Sequence, residues 1–587
     1  MTRQPSRYRN NQKSAKLRKY DRLDYLRFGF LLLGAIIALR LFIVQLIQHG
    51  YYEALAVNHH ELFEELYPER GEILVHDRYS ATGTVPIATN KVLYEVHAEP
   101  KHITDAQAAA DALSPLLAIP KDDLKAKLDK PDDPEELLKR RVSEEVMNAI
   151  KDLDLKGIYF IEEQWRYYPE GEYMAHLTGY FGYSDDKKVG QYGLEGYFDK
   201  ELSGQVGYIS GEKDALGRFL TIGDNFIQEA VDGDDLVLTI DKNIQYTACT
   251  KLKSETERLS AKESSLIVMD PNTGAIIAMC NYPTYDPNKY NEVESVDVFA
   301  NSAVSDEYEP GSVFKAFTMG AGLDSNAVTP TTTYTDTGEV KVAGYPITNF
   351  DGKAYGTQDM TTVLEKSLNL GTIFVVQQTG NETFYKYVEA FGFGVPTGIE
   401  LSNEYSGDIH SLAQFKDVYS YTGSFGHGIT VTPLQLIAAY GAIANHGMLM
   451  KPYVVEKRIV SSGAEIPTQP TEIRQVLTAD TARTLTAMLV NVIDEGTAHR
   501  IHQLIPNYYL AGKTGTSLVV NSNGKYDANR HNDTMVGYGP VSDPKFVMLI
   551  KMNEPQSQYA EGSVVPLWGE VAKDLINYYK IPPDRED

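Results

Sequence analysis

An almost unbroken apolar run opens at Phe28 and continues through Leu41 to Ile47. About twenty residues of this kind are enough to cross a hydrocarbon core of roughly 30 Å. Arg40 interrupts the run, at a cost of roughly 2.5–3.5 kcal/mol at a membrane centre and less when the side chain snorkels. Snorkelling to the outer interface accounts for it; the alternative is a contact with a polytopic membrane protein. Nine Lys and Arg residues precede the run within 1–27, against Asp21 and Asp24. The positive-inside rule therefore predicts a basic cytoplasmic tail over 1–27, one transmembrane anchor over 28–48, and the remainder outside the cytoplasm. No small-residue cleavage site follows the run, so an uncleaved anchor is expected rather than a signal peptide.

Residues 49–245 alternate short strand-like runs with polar helical ones. The stretch 66–78 is extended and bounded by turns, and 104–156 is helical in spacing with joints at Pro120 and Pro131-Asp132-Asp133-Pro134. Asp232-Gly233-Asp234 marks a turn before the strand Leu236-Val237-Leu238-Thr239-Ile240. Beyond 245 the pattern changes. Residues 265–270 and 275–280 form a hairpin of nearly continuous apolar strands, which helices must cover on both faces. A matching hairpin, 534–540 with 545–552, lies near the other end, and helical stretches such as 372–379, 433–446 and 479–494 fall between. Strands first, helices in the middle and strands last predict an α/β sandwich whose sheet joins the two ends of this half.

Composition narrows the picture only a little. The 587 residues are too many for one core, and 42% hydrophobic with 23% charged residues is ordinary for globular protein. A net charge of −25 argues against a general nucleic-acid binder. Cys249 and Cys280 are the only cysteines, without a metal-type cluster. They pair if the domain is oxidised, but two buried thiols are the expectation.

Candidate chemistry starts at Pro310-Gly311, a turn that hands over to an apolar helix. Ser312 stands at its start and Lys315 lies one turn on along the same face. Serine is a weak nucleophile until a base is within reach, and a lysine amine serves once burial or a second cation lowers its pKa. An N-cap serine on a core helix is the plainer account of the same residues. Ser367 and Asn369 fall where the helix-forming stretch 361–365 gives way to a turn. In Ala511-Gly512-Lys513-Thr514-Gly515-Thr516-Ser517 the glycines permit close backbone approach. Lys513 and the Thr514 and Thr516 hydroxyls are suited to a carboxylate, beside a strand edge that can pair with an extended peptide. His176, alone among apolar neighbours, is expected to be a structural hydrogen-bonder. Glu195 and Asp77 are carboxylates that nothing in the sequence brings together.

Order gives these motifs their weight. Ser-x-x-Lys, Ser-x-Asn about 55 residues later and Lys-Thr-Gly about 145 residues after that form the set of the penicillin-recognising serine acyltransferases. Arg70-Gly71-x-Ile73, Arg166-Tyr167-Tyr168-Pro169, Gly193-Leu194-Glu195 and Gly426-His427-Gly428-Ile429-Thr430-Val431-Thr432-Pro433 accompany them. On these residues the chain resembles class B penicillin-binding proteins, the monofunctional peptidoglycan D,D-transpeptidases, over nearly its whole length. Tyr79-Ser80-Ala81-Thr82 departs from the family pattern in the pedestal only.

The resemblance implies a multidomain α+β and α/β protein. A single transmembrane helix would precede a mixed non-catalytic pedestal or dimerisation domain over 49–245. A transpeptidase domain of serine β-lactamase type, an antiparallel sheet sandwiched by helices, would occupy 246–587. Ser312 would be acylated, Lys315 would be its base, and Ser367 would relay a proton to the leaving amine. Asn369 would orient Lys315 and the substrate amide. Lys513, Thr514, Gly515 and Thr516 would hold the substrate carboxylate, with the Ser312 and Thr516 N–H groups as oxyanion hole. No metal or organic cofactor is implied. Donor and acceptor stem peptides would be substrates and β-lactams covalent inhibitors. A polytopic SEDS-type glycosyltransferase and divisome proteins would be partners at the bacterial cell membrane. A division-type enzyme fits the Ser367 context and the pedestal length; an elongation-type enzyme, a β-lactamase and a β-lactam sensor or scaffold are the alternatives.

Overall fold

The structure is a computed structural model. It describes residues 61–585 except 131, 185–186, 213–225, 522 and 524, together with 33, 34, 37 and 42. All but those four positions of the anchor expected over 28–48 lie outside the described residues. Among the described residues no helix is long and apolar enough to cross a membrane. The chain divides into two units, 1–68 with 205–231 and 69–204 with 232–587. The first contains a three-stranded antiparallel sheet of Glu61–Leu66, Gly207–Glu212 and Phe226–Gln228, with the second strand in the middle.

The second unit begins with β1 (Ile73–His76), β2 (Thr84–Ala98), β3 (Glu136–Val142), β4 (Ile158–Tyr167) and β5 (Asp235–Asp241). Alternate residues of β1, Ile73 and Val75, are completely buried, as expected of a strand with one face on a core. The strand β5 pairs with β1 in parallel, and β3 and β4 both pair with the long β2. A separate small core forms where helix Ala106–Leu117 lays Ala110, Leu113 and Leu117 on Val96, Leu138 and Val142.

One ion cluster ties these segments together. Glu195 is fully buried and accepts from Arg166 Nε at 2.7 Å, from Arg70 Nε at 2.7 Å and from the Tyr168 hydroxyl at 3.2 Å. Arg70 also reaches Ser203 Oγ at 2.6 Å and Asp199 at 2.9 Å. Burial by itself would raise the Glu195 pKa, but the charges of Arg166 and Arg70 outweigh it and hold it below its ordinary value. The other carboxylate, Asp77, instead accepts from Asn243 at 3.2 Å and from the Tyr79 N–H at 2.9 Å. His176 is a structural hydrogen-bonder: its Nε2–H donates to the Val298 carbonyl at 3.0 Å, and burial pushes its pKa down to about 4.

The catalytic half supplies α1 (Lys242–Arg258), β6 (Glu263–Met269), β7 (Ile276–Tyr282), α2 (Lys315–Asp324), α3 (Met360–Glu365), α4 (Asn369–Thr379) and α5 (Pro433–Ala444). Next come β8 (Val455–Ile459), β9 (Glu465–Pro467), α6 (Ala479–Asp494), β10 (Ala511–Val520), β11 (Tyr526–Gly539), β12 (Phe546–Asn553) and α7 (Val564–Tyr579). Five strands form an antiparallel sheet in the order β7-β6-β12-β11-β10, so the first and last hairpins of this half do pair. Consecutive residues of β12 show how it is covered. The Phe546 ring meets Trp568 of α7, while Val547 lies against Gly441 of α5. Neighbouring strand residues point to opposite faces, so α7 and α5 lie on opposite sides of the sheet.

The strands β8 and β9 leave this layer and extend the pedestal sheet, giving the order β9-β8-β5-β1-β2-β3. Pedestal and catalytic residues consequently share one unit. The cysteines differ from expectation. Cys249 of α1 and Cys280 of β7 form a disulfide, with Cα atoms 5.9 Å apart. Packing of α1 along β7 brings two residues separated by 31 positions into bridging range, which sequence spacing does not reveal.

Replacing Glu195 with Ala leaves the Arg166 guanidinium buried without its counter-charge and Arg70 with Asp199 alone. Chemical denaturation is expected to show a loss of about 3–5 kcal/mol, against no resolvable change for removing an exposed partner such as Glu382.

Candidate active site

The nucleophile turn is held from three sides. Gly311 takes φ +60° and its N–H donates to the Gly426 carbonyl at 3.2 Å. A Cβ on Gly426 would lie 2.3 Å from the Gly311 oxygen, so only glycine admits this approach. The Tyr440 hydroxyl of α5 donates to the Val313 carbonyl at 2.7 Å. Strand β10 closes the third side. A Cβ on Gly515 would stand 3.0 Å from the Pro310 oxygen and from Val313 Cγ1. The sequence predicts a helix from Ser312. The structure instead has a 3₁₀ turn, Gly311–Phe314, before α2 begins at Lys315, and the Lys315 N–H donates to the Ser312 carbonyl. The left-handed backbone at Gly311 tightens this first turn.

Lys315 and Lys513 are both completely buried. They arrive from α2 and β10 and meet at Ser367. Lys315 Nζ donates to the Ser367 carbonyl at 2.5 Å and to its Oγ at 3.2 Å. Lys513 Nζ donates to the same Oγ at 3.0 Å and to the Thr514 carbonyl at 3.1 Å. Ser367 follows the end of α3 with φ +57°, a region uncommon for serine, which aims both its oxygens at the amines. Among the described residues neither lysine has a carboxylate within ion-pair distance. Burial, joined by the charge of Lys513, drives the Lys315 pKa well below its ordinary value. Burial lowers that of Lys513 to about 7, opposed only by the more distant charge of Glu561.

A neutral amine has two N–H bonds and one lone pair. Both hydrogens of Lys315 are taken up by Ser367. The lone pair remains free, which is what a base requires.

Asn369 opens α4, and its amide donates to the Thr348 carbonyl at 2.9 Å. The contact to Lys315 expected of it is made by Ser367, because α4 turns the Asn369 side chain toward the 345–348 strand. Thr514 Oγ1 lies 2.6 Å from Thr497 Oγ1, and Thr516 Oγ1 donates to Asp533 Oδ1 at 2.9 Å. Thr497, Asp533, Glu309 and His427 escaped the sequence reading as site residues. Glu309, three residues before Ser312, accepts from the Gly428 N–H at 2.8 Å and the Tyr526 hydroxyl at 3.1 Å. The His427 ring packs at a tilt against Tyr526, and burial, with Lys315 nearby, pushes its pKa down to about 4. The motif Gly426-His427-Gly428 was a usable signal for the last two. Asp533 had none, since its relation to Thr516 is one of cross-strand register.

Two family models match the chain. One describes a penicillin binding protein transpeptidase domain and covers residues 264–577; the other describes a penicillin-binding protein dimerisation domain and covers 65–238. The chain belongs to the penicillin-binding protein transpeptidase family.

Among similar proteins, stage V sporulation protein D of Bacillus subtilis is 30% identical over 523 residues, covering 88% of this chain and 79% of the relative. Peptidoglycan D,D-transpeptidase FtsI of Escherichia coli K12 is 30% identical over 507 residues, covering 85% and 83%. The fold resembles that of penicillin binding protein 2X from Streptococcus thermophilus, with a TM-score of 0.72 at 23% identity over 88% of this chain and 80% of the other. The transpeptidase domain thus carries its three motifs on the 3₁₀ turn that leads into α2, on the α3–α4 turn and on edge strand β10.

The depressed lysine pKa values have a sign for stability. Unfolded, Lys513 titrates near its ordinary value of 10.5; folded, it titrates at about 7. The unfolded chain therefore binds the extra proton between those values. The penalty is complete below about 7 and vanishes as pH rises through 10.5. Lys513→Met is expected to melt at a higher temperature than the parent at pH 6–7, with the difference shrinking toward pH 10 in a series of thermal melts.

Proposed function

We propose that this chain cross-links peptidoglycan by serine acyl transfer and is a target of β-lactams. The convergence of Lys315 and Lys513 on Ser367 Oγ, one turn from Ser312, carries this reading. Ser312 Oγ attacks the carbonyl of a D-Ala-D-Ala bond, and the Lys315 lone pair takes its proton. Backbone N–H groups of Ser312 and Thr516 receive the oxyanion, a contribution of roughly 2.7–4 kcal/mol per donor. The proton then passes by way of Ser367 to the departing amine, and D-Ala leaves. The amine of a second stem peptide attacks the acyl-serine; the C–N bond forms, the ester C–O bond breaks, and Ser312 recovers its proton.

Lys513, charged below about pH 7, holds the donor carboxylate together with Thr514, Gly515 and Thr516. A β-lactam presents a carbonyl and carboxylate in the same places and stays attached to Ser312. Asn369 meets the substrate amide from the start of α4.

The relatives' names support peptidoglycan as substrate, and the Ser367 context and pedestal length favour a division-type role. The basic tail and apolar run of 1–48 support a single-pass anchor with the catalytic domain outside the cell membrane. Neither family model describes a glycosyltransferase, so glycan strands would come from a separate polymerase. A polytopic SEDS-type enzyme working with division proteins, contacted near Arg40 and the pedestal, fits that need.

A fluorescent penicillin should label the parent protein covalently and leave Ser312→Ala dark on a denaturing gel; label retained by the variant would sink the assignment. Lys315→Ala should fold, by circular dichroism, yet acylate more slowly by about 10²–10⁴-fold. Acylation at the parental rate would remove Lys315 from the base role.

A further inference from the structure

Thr516 and Asp533 are paired across β10 and β11, so their side chains share a face of the sheet. Asp533 is completely buried. An ionised carboxylate only accepts, so the 2.9 Å bond between them fixes where the Thr516 hydroxyl proton lies: on the line to Asp533 Oδ1. The hydroxyl also accepts from the Ala560 N–H at 3.4 Å. The other carboxylate oxygen takes the Ser563 hydroxyl at 2.6 Å, with His531 Nε2 at 3.6 Å.

This arrangement has a consequence for carboxylate recognition. Thr516 is partly exposed beside Lys513 and Thr514 and has one proton to give. While that proton is bonded to Asp533, the hydroxyl offers an incoming carboxylate only lone pairs, with a buried negative charge behind them. Both effects oppose binding of an anion.

We propose that Asp533 is a positioning residue for the carboxylate subsite, lowering affinity for carboxylate-bearing ligands by holding the Thr516 proton. The proposal rests on the transpeptidase reading above and deepens it. The hydroxyl engages a carboxylate only when it turns off Asp533, and Ser563 and His531 are placed to keep that carboxylate paired when it does. A purely structural Asp533 would not discriminate between ligands, since its loss would loosen β10 and slow every acylation alike.

The test compares second-order acylation rate constants of the full chain for benzylpenicillin and for its methyl ester, which lacks the carboxylate. In Asp533→Asn the amide can donate to Thr516 Oγ1 and release its proton toward the ligand. The acid-to-ester rate ratio is then expected to rise about tenfold. In a Thr516→Val background the same substitution should leave the ratio unchanged, because the coupling runs through that hydroxyl. A ratio that stays constant or falls in Asp533→Asn, with Ser312 still labelled, overturns the proposal and leaves the transpeptidase reading standing. Failure of both ligands to label Ser312 in the parent protein overturns both.

Should Asp533→Asn not fold, Ser563→Ala carries the test. With one donor fewer, Asp533 holds Thr516 harder and the ratio should fall at least about twofold. An unchanged ratio there counts against the proposal.

Discussion

Two lysine amines share one serine hydroxyl in a place that water does not reach. Lys315 and Lys513 are completely buried without a carboxylate partner among the described residues, and both donate to Ser367 Oγ. Burial without a counter-charge is what makes an amine basic but unprotonated near neutral pH. Much of the surrounding architecture serves to keep it so. The left-handed turn at Ser367 aims its oxygens at the amines, and the glycine approaches at Gly426 and Gly515 with the bond from Tyr440 to Val313 hold the Gly311–Phe314 turn against its neighbours.

The pedestal shows the opposite solution to the same problem. Glu195 is as deeply buried as the two lysines, yet Arg70, Arg166 and Tyr168 satisfy it, and it stays charged. A paired buried charge organises structure; an unpaired one stores reactivity at a cost in stability. Both occur in one unit because β8 and β9, from the catalytic half of the chain, complete the pedestal sheet. The ion cluster and the active site consequently lie within one continuous folded unit.

Apolar continuity identified the strands of the catalytic sheet, since unalternating runs such as Leu266–Met269 are stable only when covered on both sides. Motif order singled out Ser312, Lys315, Ser367 and Lys513, and the fold brings the last three together. Less legible were the features that depend on two distant segments meeting. Cys249 and Cys280 form a bridge because α1 packs on β7, and the expectation of separate thiols failed there. Asn369 bonds to Thr348, and Ser367 takes its expected place beside Lys315. The bond from Thr516 to Asp533 follows from a register that no local pattern records.

What the sequence alone determined is the inventory and its order: an apolar run behind a basic tail, paired strand hairpins around a helical middle, and three motifs in the order of an acyltransferase. Local chemistry suffices for these, because turn residues, periodicity and short spacings act over a few positions. The tertiary structure decided which groups are charged and where their protons point. That depends on burial and on partners drawn from segments far apart in sequence, such as Lys315 with Ser367, Lys513 with Ser367, and Thr516 with Asp533.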